Sequence, residues 1–155
     1  MLACARAVSI TLGRWVMFAL RIASAVLLFL VGLIALSMAW KGLSTRRLMP
    51  FHQAAIGRSW EEASPGEQSV WLALSRVLGL GFLTAGLALL TAAITALAQS
   101  DLATYALAAV GLVFCAGLTV INHRLQQASS VGTPWKGSLY AALGIVLALA
   151  LYAIG

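Results

Sequence analysis

Most of the chemistry this sequence could offer rests on Arg46, Arg47, His52, Glu61, Glu62 and Arg76. All but Arg76 lie in one polar stretch, residues 41–68, KGLSTRRLMPFHQAAIGRSWEEASPGEQ. The adjacent Arg46 and Arg47 suit anionic lipid headgroups, a contact worth about 1 kcal/mol per charge. Arg76 stands beside the start of an apolar run. A cation placed there either snorkels to phosphate headgroups or pairs with Glu61, Glu62 or an anionic ligand under the loop. His52 and His123 would share one membrane face. No Cys or acid at ligand spacing accompanies either, so they read as interfacial polar residues and no metal, haem or other cofactor is expected. A proton-coupled exporter needs an ionisable group at mid-bilayer, and no apolar run carries a carboxylate. Gly79-Leu80-Gly81 follows no strand and lies inside an apolar helix, so it is no phosphate loop. No catalytic constellation emerges.

The elements that must position these residues are membrane helices. Of the 155 residues, 62% are hydrophobic and 9% charged, with a mean hydropathy of +0.98. Soluble domains run near half apolar and about a quarter charged. Apolar runs at about 22–40, 77–98, 102–122 and 134–155 can each cross the ~30 Å hydrocarbon core. The reading is all-α: a single polytopic domain over 1–155, with four transmembrane helices in an antiparallel bundle and a short amphipathic helix between the first two. The first helix should begin near Ser9, with Arg14 and Arg21 on one face and Trp15 and Trp40 as interfacial anchors. Ser37-Met38-Ala39 resembles a signal-peptide cleavage site, but the run is too long for a typical signal core, so the span is read as retained.

Within the polar stretch, Pro50 fits the first position of a short helix that Gly57 stops. Ser59-Trp60-Glu61-Glu62 and Ser64-Pro65-Gly66-Glu67 both fit capping boxes, so the second long helix should start at Pro65, with Trp71 at the interface. Gly81, Thr84, Ala88, Thr91 and Thr95 predict a small, hydroxyl-bearing seam on that helix. Thr104, Ala108, Gly111, Cys115 and Asn122 predict another on the third, and Gly137, Ala141, Gly144 and Ala148 one on the fourth. Gln99-Ser100-Asp101 is a tight turn with Ser100 or Asp101 as N-cap. A loop should run from His123 to Gly132, after which Thr133 caps and Pro134 opens the last helix.

Cys4 lies in the N-terminal tail and Cys115 about 10 Å inside the third run, so a disulfide would require the tail to enter the bundle, and both read as free thiols. The basic residues sit at the ends of apolar runs rather than on one stripe, which argues against nucleic acid as a partner. With four spans, Lys41, Arg46, Arg47, Arg58, Arg76, Arg124 and Lys136 fall on one side and Arg6, Arg14 and Arg21 on the other. That bias places loops 41–68 and 123–133 in the cytoplasm and both termini outside.

The run Met49-Pro50-Phe51-His52, with Gly57, Trp60-Glu61-Glu62 and Thr133-Pro134-Trp135, resembles a group of uncharacterised small bacterial inner-membrane proteins with four helices. The resemblance implies the same membrane and architecture and no particular activity. Two enzyme-bearing groups of similar size fit poorly. Membrane-associated glutathione-metabolising proteins carry a charged, amide-bearing motif on their second helix, where only Arg76 could match. Disulfide-generating bundles need cysteine pairs outside the membrane. The expectation is a non-enzymatic accessory, assembly or lipid-contacting subunit that uses 41–68 as its interaction surface, with membrane lipids, a partner membrane protein or further copies of itself as partners. The alternative is a small-molecule, transport or enzyme site where the loop meets the bundle near Arg76. A homo-oligomeric pore is a third reading, disfavoured because no span holds a buried charge.

Overall fold

The computed structural model describes the backbone from Leu2 to Gly155 and side chains from Gly13 onward. It is all-helical: α1 (Leu2–Ser44), α2 (Pro50–Ile56), α3 (Pro65–Leu97), α4 (Asp101–Ser129) and α5 (Trp135–Ile154). Four of these are long and apolar enough to cross a membrane, and α2 is the short helix between the first two spans. The chain is a multi-pass membrane protein. Readings that rest on Cys4 and Arg6 fall outside the described side chains.

The long helices close a ring in which α1 packs on α3 and α5, and α4 packs on the same two. In lipid there is little hydrophobic drive between helices, so close approach and hydrogen bonds must hold the ring. The α1–α3 seam uses close approach. A methyl added at Gly42 would stand 2.9 Å from the Gly79 Cα, and one at Gly86 would stand 3.2 Å from the Gly32 carbonyl oxygen. Gly81 points the other way, where an added methyl would sit 2.7 Å from the Phe114 ring of α4. The Gly-Leu-Gly pair thus admits a neighbour on each side of one helix. Leu28, Leu89 and Ile145 fill the centre, surrounded by alanines.

The seams differ from expectation in rotation. Thr84 and Thr91 are exposed and donate to the Leu80 and Leu87 carbonyls of their own helix. The buried face of α3 is instead Gly79, Ala85, Gly86, Leu89, Ala92, Ala93 and Ala96. A threonine bonded to its own backbone can face away from the seam, so a hydroxyl at helical spacing does not by itself mark it. Thr95 does cross it, accepting from Thr104 of α4 at 2.9 Å. On α4 the expected face holds for Thr104, Ala108, Gly111 and Cys115, which are buried, while Asn122 is only half-buried. On α5, Ala148 is buried but Gly137 is exposed, and Ala142, Ile145 and Tyr152 complete the packed side.

Boundaries shift where tertiary bonds compete with caps. α1 begins at Leu2 rather than near Ser9. α4 runs on through His123 to Ser129, two turns beyond the expected loop start, and stops at Ser130 in the left-handed region (φ 55°). Thr133 does not cap α5, because its hydroxyl donates to the Asn122 carbonyl at 2.7 Å and so ties the loop to α4. Pro134 is the N-cap residue instead. At the other turn, Ser100 holds the N-cap position without a side-chain bond. The Asp101 carboxylate accepts from the Tyr152 hydroxyl at 2.5 Å.

Candidate functional site

Residues 45–68 fold into a platform over the end of the bundle. Pro50 starts α2 because a first-turn residue needs no N–H donor. Gly57 ends it at φ 71°, where its N–H reaches the Gln53 and Ala54 carbonyls. Ser64 and Glu67 form the full capping box, with Glu67 N to Ser64 Oγ at 3.3 Å and Ser64 N to Glu67 Oε2 at 2.7 Å. The box expected at Ser59 forms only in part. Glu62 accepts from the Ser59 N–H at 3.0 Å, but residues 60–62 make a turn rather than a helix.

Two glutamines stitch these pieces together, and no sequence signal singled them out. Gln53 donates to the Leu48 carbonyl at 2.7 Å and accepts from the Trp60 N–H at 3.1 Å. Gln68 donates to the Trp60 and Ala63 carbonyls at 3.0 and 3.1 Å. Trp60 is thereby held at both backbone groups, with its ring 6.3 Å from that of Trp71 on α3. Amide side chains in a polar segment look the same in sequence whether they bond backbone or water, so composition could not reveal them.

The charged residues divide. Arg47 pairs with Glu61 at 3.3 Å, with both side chains about 70% exposed (72% and 68%). An exposed pair of that kind contributes about 0–1 kcal/mol. Arg58 pairs with Glu67 at 2.9 Å and also donates to the Glu62 carbonyl. Arg46 and Arg76 are exposed and make no ion pair among the described residues. The glutamates that could have met Arg76 are engaged elsewhere, Glu61 by Arg47 and Glu62 by Ser59.

Beneath the platform lies a cavity of about 290 Å³ between α2, α3 and the end of α4. Ile56, Trp71, Leu74 and Leu125 give it apolar walls, and His52 and Ser75 supply its polar groups. The His52 ring lies against that of Phe51 with centroids 3.9 Å apart and the planes tilted by 41°, and its Nδ1 is buried without a partner. Burial lowers the His52 pKa from its ordinary 6.5. A charged ring would hold a second N–H donor with nothing to receive it, so the neutral form belongs here. His123 is not part of this cavity; it meets Gln127 at 3.2 Å and the Trp135 ring at 5.0 Å. Among the described residues no three His, Cys, Asp or Glu side chains gather as a metal site. Compared with protein-family models, with curated proteins and with solved structures, the chain matches none.

Proposed function

We propose that this chain is a non-enzymatic accessory or assembly subunit of a bacterial inner membrane, with the 41–68 platform as its contact surface for lipid and a partner membrane protein. The observation that carries the reading is the platform's internal bonding. Gln53 and Gln68 fix a segment that, as a mere connection, would need no such order. Arg46 and Arg76, free of ion pairs among the described residues, add positive charge suited to anionic headgroups. In this reading the basic loops 41–68 and 123–133 face the cytoplasm and the termini face out.

Native mass spectrometry of the protein extracted gently from its own membrane tests the role. A second protein at fixed stoichiometry, lost on Gln53→Leu, is the expected result. A lone chain under conditions that keep known complexes intact would overturn it. For orientation, a cytoplasm-only reporter fused after Gly155 should be silent.

The cavity beside Ser75 favours a second reading, a small-molecule site at the loop–bundle junction near Arg76. A non-lipid ligand retained by the wild type and lost on Trp71→Ala would move the assignment there.

A further inference from the structure

At the end of the bundle away from the platform, α1 outruns its neighbours. A methyl built on Gly155 would stand 2.7 Å from the Met17 carbonyl oxygen and 2.9 Å from the Leu20 Cβ, so the last turn of α5 meets α1 just before Arg21. At and above that level Phe18 is 54% exposed and Trp15 70%. The angle between this protruding helix and the α3–α4 turn encloses a recess of about 720 Å³, lined by Arg14, Trp15, Phe18, Arg21 and Gln99 among others.

The two arginines of this recess have no acidic side chain opposite them among its lining residues. Arg14 and Arg21 are two helical turns apart on one stripe, so both guanidinium groups border the same space. Asp101 is the one acid in the turn, and its carboxylate is bonded to the Tyr152 hydroxyl. Arg21 lies over the Tyr152 ring, its guanidinium carbon 5.5 Å from the centroid. That contact orients the group without satisfying its N–H donors. The Arg21 Nε is buried and has no partner, a costly state for a donor of this strength. Neither arginine makes an ion pair among the described residues.

Depth points to the occupant. The 20 residues of α5 rise about 30 Å, the thickness of the hydrocarbon core, so a recess level with its last residue lies among headgroup phosphates. We propose that the recess binds a phosphate oxyanion carried on an apolar body, with Arg14 and Arg21 on the phosphate oxygens and Trp15 and Phe18 against the apolar part. Guanidinium groups match phosphate oxygens in paired, charge-assisted hydrogen bonds that are stronger than those they make to neutral acceptors. The site lies at the opposite end from the platform and stands independently of the proposed function.

The test uses the full chain in neutral detergent and a photoreactive phosphatidylglycerol, with labelled peptides mapped. Labelling should fall on α1 around Met17–Arg21 and at the Gln99 turn. It should drop about tenfold or more in the Arg14→Gln, Arg21→Gln double variant, from the loss of charge-assisted bonds. An Arg124→Gln, Lys136→Gln variant at the far end should leave labelling of those peptides unchanged. Equal labelling by the matching diacylglycerol, or full labelling of the double variant, would overturn the proposal. Should the double variant not fold, Arg14→Gln alone decides, because Arg14 is exposed; severalfold weaker labelling supports the site and unchanged labelling overturns it. Arg21→Lys keeps the charge but loses the planar paired donors of the guanidinium group, and should weaken labelling while leaving the fold intact. Displacement by excess inorganic phosphate would assign the site to soluble phosphate esters, and resistance to it would assign the site to lipid.

Discussion

The bundle and the platform are held by different means. In the bundle, helix meets helix through missing side chains: Gly42 on Gly79, Gly32 on Gly86, and Gly111 under Leu89. Most hydroxyls there bond their own helix, and few cross a seam. In the platform the order reverses, and Gln53, Gln68, Ser64 and Glu67 join segments through side-chain-to-backbone bonds. The difference follows from the solvent. Apolar contact between helices gains little in lipid over contact with lipid tails, so shape and dispersion must decide. A platform at the water interface can bury too little to rely on packing, and satisfies its backbone with polar side chains instead.

The sharpest way to break this contrast is Gly42→Ala. The added methyl would meet backbone, the Gly79 Cα at 2.9 Å and the Ser75 carbonyl oxygen at 3.2 Å, neither of which can swing aside. We expect a loss of about 3 kcal/mol, the upper end of overpacking costs, read as a lowered midpoint in denaturing-detergent titration. Gly86→Ala should cost less, since its nearest atom is the flexible end of Leu36 at 2.8 Å. Gly117→Ala, with nothing within 4 Å, should be near neutral. Equal effects at the three sites would show that close approach does not hold the α1–α3 seam.

Next in size is Gln68→Leu in the platform. It removes bonds to the Trp60 and Ala63 carbonyls and should cost about 1–2 kcal/mol by the usual worth of such bonds. The loss should be local. Amide exchange should quicken across residues 58–64 while the bundle's unfolding midpoint stays put; a global shift would mean that bundle and platform are one cooperative unit.

Smaller still is Thr104→Val, which deletes the hydroxyl bridge to Thr95 at 2.9 Å. Interhelical bonds within membranes average about 0.6 kcal/mol, because partners are found in the unfolded state too. A double-mutant cycle with Thr95→Val should return a coupling of that order. A coupling above about 2 kcal/mol would put hydroxyls on a par with glycines and undo the contrast.

How far the sequence carried the reading depends on the kind of signal. Pro50, Gly57 and the Ser64–Glu67 box were legible because each acts through its own neighbours in the chain, and α2 and the start of α3 fall where those residues put them. The face of α3 was not, because Thr84 and Thr91 share their spacing with true seam residues and only the neighbours' positions separate them. The α1–α3 glycine contact was missed for the same reason, since Gly42 and Gly79 are remote in sequence. At the candidate site, Arg47 and Glu61 could be named as charged groups, but their pairing depends on how the turn at 60–62 closes. Gln53 and Gln68 carried no signal beyond polarity. At the far end, Arg14 and Arg21 were legible as one stripe, whereas the capture of Asp101 by Tyr152, 51 positions away, was not.

The smallest effect is the pH response of His52, and it probes where the two regions meet. Its ring enters the cavity under the platform, and the residues lining that cavity from α3 and α4 include no acid. Burial holds its pKa below the ordinary 6.5, so the unfolded platform takes up a proton more readily than the folded one as pH falls. By linkage the folded platform keeps its full stability above about pH 6.5 and loses it progressively as pH drops toward the lowered value. Exchange protection of residues 50–56 should therefore weaken from pH 7.5 to pH 5, after correction for the intrinsic rate, while α3 and α4 hold theirs. His52→Phe should abolish the dependence, because a ring of similar size fills the space without a titrating nitrogen. If that variant loses protection with pH as the wild type does, the response belongs to the exposed carboxylates of the platform. The junction would then be held by packing alone, as the bundle is.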